Sequence, residues 1–188
     1  MAIEIPKIMR TLERDERGYP IPFIVQRDLK GLPVFTVNDD RVVLTCVKKR
    51  LCSICGKRLQ ESWFVSGSRS FLSVRGAFVD PPVHLECAEY ALQVCPFLAA
   101  PVWTQSIAHR VLAAHEMPKT FHSVEVSYSG RLQPDWFCLG LAGRCKLHYT
   151  DLGQVRYTVD DWRYIEFWKA GARCNAPPPE EIQRLLSL

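Results

Sequence analysis

The chain has 188 residues, of which 47% are hydrophobic, and a net charge of +4, enough apolar material to bury a core without leaning wholly on a metal. No apolar run approaches membrane-spanning length and the first 17 residues mix charges without an apolar signal core, so the sequence reads as a cytoplasmic globular protein with one domain, residues 1–188. Eight cysteines without an export signal indicate reduced thiols and metal in preference to disulfides.

In chain order, residues 1–17 read as an irregular or short helical lead. Gly18-Tyr19-Pro20-Ile21-Pro22 cannot be helical, because each proline removes a donor and pushes its predecessor toward extended geometry. Residues 34–37 and 41–47 are predicted strands around the turn Asn38-Asp39-Asp40, the second burying Cys46 and running into a cysteine pair.

That pair, Cys52-Ser53-Ile54-Cys55-Gly56-Lys57, is answered by Pro81-Pro82-Val83-His84-Leu85-Glu86-Cys87. Two residues between cysteines let a tight turn aim both sulfurs at one point, with Gly56 supplying the backbone freedom. His84 and Cys87 are three apart at the start of a predicted helix, 83–94, and so share one face of its first turn. Cys52, Cys55, His84 and Cys87 thus make a closed tetrahedron for one structural zinc per chain. The helix start favours negative charge and helps keep Cys87 a thiolate. Leu85, Ala88, Ala91, Leu92 and Cys95 form the helix's apolar stripe and Pro96 ends it, which makes Cys95 a core residue and not a ligand.

Between the ligand pairs, residues 61–65 and 71–79 are predicted strands separated by a Ser/Gly/Arg turn. Knuckle, hairpin and ligand-bearing helix is the order of a treble-clef zinc finger, so the expected fold class is α+β, with a treble-clef-like module at 46–98 inside a small antiparallel-sheet and helix domain. The ends resemble half of a LIM module, but the interval is longer than LIM fingers usually allow.

Residues 103–116 are a predicted helix burying Trp103, Ile107, Val111 and Ala114. Its His109 and His115 are about 240° apart around the axis and cannot chelate together. Residues 121–188 are expected to form a small sheet with C-terminal helices: strands at 123–128, 136–141, 145–149 and 154–159, a helix capped by Asp160 or Asp161 that carries Trp162, Ile165 and Trp168 and stops at Gly171, and a terminal helix at 180–188.

Charge is uneven. Arg41, Lys48, Lys49, Arg50, Lys57, Arg58, Arg69 and Arg75 face only Glu61, so residues 41–79 carry +7 and the remainder −3. Such a patch, with Trp63, Phe64, Phe71 and Phe78 between the charges, suits phosphates and bases. A solvated cationic face over inward-packed aromatics is the reading favoured over it.

Catalytic readings are weaker. Four protein ligands leave a zinc no open position, and the deaminase order of His-x-Glu before a cysteine pair is missing. A His-Asn-His nuclease needs a histidine on the hairpin, and none precedes His84. Cys138, Cys145, His148 and Cys174 offer a second metal set, but a strand points Cys145 and His148 to opposite faces. His122 and Cys138 as base and nucleophile have nothing in the sequence to join them.

Arg17-Gly18-Tyr19-Pro20-Ile21-Pro22-Phe23, Leu51-Cys52-Ser53-Ile54-Cys55-Gly56, the run Pro81 to Ala91 and Cys95-Pro96-Phe97-Leu98 together resemble a family of uncharacterised phage and bacterial proteins, with a looser match over residues 168–173 and 181–182. The resemblance implies a zinc motif and a phage origin and brings no activity with it; residues 61–79 depart from the family's pattern. The expected function is therefore a non-enzymatic, phage-type accessory protein that binds a host or phage macromolecule. A protein is favoured as that partner over nucleic acid bound through Lys48, Lys49, Arg50, Lys57, Arg58, Arg69 and Arg75.

Overall fold

The computed structural model describes residues 3–68, 71, 77–99, 114–117, 134, 136–150 and 155–186. It is a mixed α+β structure with a two-stranded and a five-stranded antiparallel sheet. No helix among the described residues is long and apolar enough to cross a membrane.

The lead contains one 3-10 turn, Lys7–Met9, that buries Met9. The Gly18-Tyr19-Pro20 stretch is a tight turn: the Asp15 carboxylate accepts from the backbone N–H groups of Arg17 and Tyr19, and Gly18 takes φ 86°. Strands β1 (Val25–Arg27) and β2 (Pro33–Asn38) then pair antiparallel. The partner of the strand expected at 34–37 thus lies upstream of it.

The strand expected at 41–47 is a helix, α1 (Asp40–Lys49). Asp39 is its N-cap and not a hairpin turn residue, accepting from the N–H groups of Arg41 and Val42, while Arg50 closes the other end in the left-handed region. The valines lower helix propensity only slightly. A capped start and burial of Val43 and Cys46, one turn apart, outweigh that cost. Cys46 is buried as expected, on a helix.

The larger sheet is built from β3 (Trp63–Gly67), β4 (Ala77–Phe78), β5 (Phe137–Tyr149), β6 (Val155–Lys169) and β7 (Ala172–Cys174), in the order β3-β5-β6-β4 with β7 on β6. The hairpin expected between 61–65 and 71–79 is therefore not one: β3 pairs with β5, β4 with β6, and the β5–β6 pair lies between them. The strands expected at 136–141 and 145–149 are one strand, bent by register shifts at Leu141 to Cys145. The helix expected around Trp162, Ile165 and Trp168 is the second half of β6, a 15-residue strand. An aspartate cap and the three-residue spacing of Trp162, Ile165 and Trp168 suggest a helix, but the stretch is aromatic and β-branched and finds a partner along nearly its whole length. Gly171 does mark a stop: with Ala170 it forms a two-residue loop, φ 50° and 77°, joining β6 to β7 in a register that pairs Lys169 with Ala172.

Helices α2 (Leu85–Val94), α3 (Pro96–Ala99) and α4 (Pro179–Leu186) complete the described elements; α2 and α4 fall where the sequence indicates. Of the helix expected at 103–116, residues 114 and 115 form a turn and bend and 116 has no regular structure; the rest of it, and the strand expected at 123–128, lie outside the described residues.

Two apolar clusters meet at the large sheet. Trp63, Val83, Cys87, Ala88, Leu92, Phe137, Leu139 and Trp168 belong to one, which α2 joins. Phe64, Phe78, Val155 and Tyr157 belong to the other, with Val43 and Cys46 of α1. Neighbours Trp63 and Phe64 fall in different clusters because successive strand side chains point to opposite faces.

Candidate metal centre

The first two ligand candidates come from a knuckle after α1. The N–H of Cys52 donates to the Lys57 carbonyl and that of Gly56 to the Cys52 carbonyl, which folds the six residues back on themselves. The Cys55 N–H points at the Cys52 sulfur, 3.4 Å away. Gly56 has φ 70°, and a Cβ there would stand 3.0 Å from the Phe23 ring, so both backbone and neighbour require glycine.

The knuckle is strapped from both sides. N–H groups of Phe23 and Ile24 donate to the carbonyls of Ile54 and Ser53, so the chain that leaves the Gly18-Tyr19-Pro20 turn runs directly over the cysteine pair. From the other side, Ser53 donates through its N–H to the Pro82 carbonyl and through its hydroxyl to the Pro81 carbonyl. The prolines thus anchor the incoming strand just ahead of His84.

His84 is the N-cap residue of α2, in extended geometry, and Cys87 is in the first turn. The four ligand atoms of Cys52, Cys55, His84 and Cys87 lie within 4.8 Å of one another. His84 Nδ1 is 3.3 Å from the Cys55 sulfur, and Nε2 is 3.2 Å from the Arg58 carbonyl oxygen. A carbonyl only accepts, so Nε2 carries the proton and Nδ1 presents its lone pair to the sulfurs. That is how a metal-binding imidazole is usually oriented from behind.

Electrostatics give the group a reason to hold a cation. All three cysteines are buried. Hydrogen bonds from Cys55 and then Cys87 hold the Cys52 thiol far below its ordinary range, while the same contacts with Cys52 push Cys87 up. One thiolate suppresses ionisation of its neighbours, and a divalent ion would relieve all three. A zinc with bonds of about 2.3 Å to sulfur and about 2.0 Å to nitrogen spaces tetrahedral ligands roughly 3.5–3.8 Å apart, within reach of this cluster. Thiolate and imidazole donors also suit zinc better than magnesium or calcium.

The sequence-derived quartet is thus brought together whole, and it is the only such group among the described residues. Cys138, Cys145, His148 and Cys174 are not assembled. Cys138 is buried opposite Phe167, its thiol pushed up to about 12 by burial; Cys145 and Cys174 are exposed on different strands; and His148 bonds to Thr158. His109 and His122 lie outside the described residues.

Of the basic residues, Lys48, Lys49, Arg50, Lys57 and Arg58 are exposed and flank the knuckle, where Leu51 bridges to Arg58 and the Leu59 N–H donates to the Arg50 carbonyl. Arg69 and Arg75 lie outside the described residues. Three of the four aromatics between them do not reach the surface: Trp63, Phe64 and Phe78 are 6%, 2% and 6% exposed, and Phe71 is half-buried.

Sequence reasoning missed two buried carboxyl groups. Glu166 accepts from Tyr164 and Trp168 and pairs with Arg173 at 3.0 Å, tying β7 to β6. Asp28 accepts from the N–H groups of Lys30 and Leu32 and meets His115 at 2.8 Å. Both bring together residues that sequence spacing does not relate to a site, and both are fully occupied with holding the fold.

Compared with known proteins, the chain matches no family model, no curated protein and no solved structure.

Proposed function

We propose that this chain is a non-enzymatic, zinc-stabilised binding protein, holding one structural zinc on Cys52, Cys55, His84 and Cys87 and engaging a host or phage protein. The observation that carries the reading is the closed Cys3His cluster, its three cysteines buried in a core and its histidine oriented by the Arg58 carbonyl. Four protein donors fill a tetrahedral shell, so the ion holds the knuckle to α2 and activates no water. The ligand-bearing parts are those of a treble clef, knuckle and helix start, with the usual hairpin replaced by strands of a larger sheet. The phage assignment rests on the resemblance carried by residues 17–23 and 51–98.

The exposed cations beside the knuckle support a second reading, nucleic-acid binding. Against it stand the buried Trp63, Phe64 and Phe78, which cannot serve as a stacking platform. A protein partner needs no such platform, because rim charges steer encounter while a few anchors hold the complex.

Two measurements test this. Elemental analysis should find one zinc per chain, lost in Cys55→Ser and Cys87→Ser together with a lower melting temperature; stoichiometric zinc in either variant defeats the assignment. Replacing Lys48, Lys49, Arg50, Lys57 and Arg58 with uncharged residues should slow partner association without abolishing it. Tight binding of the unmodified chain to DNA or RNA at physiological salt, with a slope that falls by about 0.9 per phosphate contact in that variant, would make nucleic acid the partner.

A further inference from the structure

Strand β5 is supported unequally along its length. Its first part pairs on one side with β6 and on the other with β3, from Phe137 opposite Gly67 to Leu141 opposite Trp63. The last rung on the β3 side is the Ala142 N–H to the Ser62 carbonyl, 3.0 Å. The chain before β3 then turns away into the knuckle. From Arg144 to Tyr149, past the register shift at Gly143, β5 still pairs with β6 but has no neighbour on its outer edge among the described residues. Arg144 to Tyr149 are six consecutive exposed strand residues, and from Cys145 onward their register with β6 is regular.

An open edge is a row of unpaired N–H and C=O groups and a template for another chain. Its side chains restrict which chain. Arg144, Lys146 and His148 alternate on one face, with Lys146 bonded to Asp160. Cys145, Leu147 and Tyr149 lie opposite Val159, Tyr157 and Val155, on the face α1 covers, yet Leu147 and Tyr149 are 39% and 59% exposed. A second copy pairing antiparallel about Lys146 would set lysine against lysine and Arg144 against His148, which is unfavourable. Where β3 departs, a cleft of about 240 Å³ opens at the head of the free edge, with Arg50 and Arg163 in its wall. Glu61, also in that wall, is engaged by the Trp63 indole N–H.

We propose that the outer edge of β5 at Gly143 to Tyr149 receives an extended segment of a partner protein as an added strand, and that the segment alternates acidic with apolar residues. It would continue the line of β3 along β5. Its carboxylates would meet Arg144 and Lys146 and, at the cleft, Arg163; its apolar residues would cover Leu147 and Tyr149. Backbone pairing supplies the affinity and side-chain alternation the choice of partner. This inference rests on the protein-binding reading above.

The test uses the zinc-loaded full chain and two synthetic peptides, one alternating Glu with Val and one alternating Lys with Val. The acidic peptide, at about tenfold over its Kd, should slow amide exchange at Gly143 to Tyr149 by roughly tenfold, and the basic peptide should not. Arg144→Glu combined with Lys146→Glu should exchange the two outcomes, and a gain of binding to the lysine peptide shows that the variant is folded. Unchanged exchange at the edge under millimolar acidic peptide overturns the proposal. So does protection confined to the knuckle, or protection of the edge in peptide-free protein as it dimerises. Nucleic-acid binding through the knuckle would instead defeat the protein-binding reading, so the two failures are distinguishable.

Discussion

Gly56 shows how one residue couples the N-terminal strap to the cysteine knuckle. Ala at φ 70° costs roughly 1–2 kcal/mol in backbone conformation alone. Its Cβ would also press on the Phe23 ring at 3.0 Å. Gly56→Ala is expected to lose at least that much stability in chemical denaturation, and part of the loss should return when Phe23→Ala is added; no coupling between the two would separate the strap from the knuckle. Turn freedom at Gly56 is legible from its place after a Cys-x2-Cys pair. The ring above it is not, because it arrives from a distant stretch of chain. Asp28 gives a pH signature. Its hydrogen bond to His115, with those from the Leu32 and Lys30 N–H groups, holds its carboxyl below the usual range against the opposing effect of burial. A carboxylate depressed in the folded state stabilises above its unfolded value of about 3.9 and loses that contribution as pH falls through the lower folded value. Asp28→Asn should therefore be less stable than the parent at neutral pH, with the gap closing below about pH 4 in urea titrations. A gap independent of pH would remove the carboxylate from the account.

At the scale of elements, the ends of the metal motif were legible and its middle was not. Cys-x2-Cys and Pro-Pro-x-His-x2-Cys carry their geometry locally, in a turn and a helix start, so spacing alone places them. Strand pairing is non-local: residues 61–79 have strand composition, yet nothing in them says that β5 and β6, more than 50 residues downstream, will enter between β3 and β4. Residues 40–49 failed for a different reason, since a valine-rich run beside Asn-Asp-Asp fits a hairpin as readily as a capped helix until tertiary packing decides. The deciding local signal is Asp39. Asp39→Ala removes both side-chain acceptor bonds at the start of α1 and should cost about 1 kcal/mol. Asp39→Asn or Asp39→Ser should retain most of that stability. Equal losses in all three would mean that the α1 core, and not the cap, sets the helix.

For the whole molecule, the question is what a metal on the Cys3His cluster would hold together. Cys52, Cys55 and Cys87 are themselves members of the apolar cluster under α2, whereas the cluster between α1 and Tyr157 contains none of the ligands. The two clusters share the large sheet, and Trp63 and Phe64 bind them through adjacent residues of β3. In a chain of this size the second cluster has apolar area enough to persist when the first is loosened. Removing the ion would leave one thiolate among buried thiols at the knuckle, with no cation to offset their mutual repulsion as further thiols ionise. Chelation is therefore expected to lower the melting temperature and to raise amide exchange first in Leu85–Val94 and the knuckle, while Val43 and Cys46 of α1 and the central residues of β6 keep their protection longer. Hydrogen exchange with and without chelator reads this directly. Simultaneous loss of protection in both regions would mean that the shared sheet transmits the failure at once, and that the metal holds the entire fold.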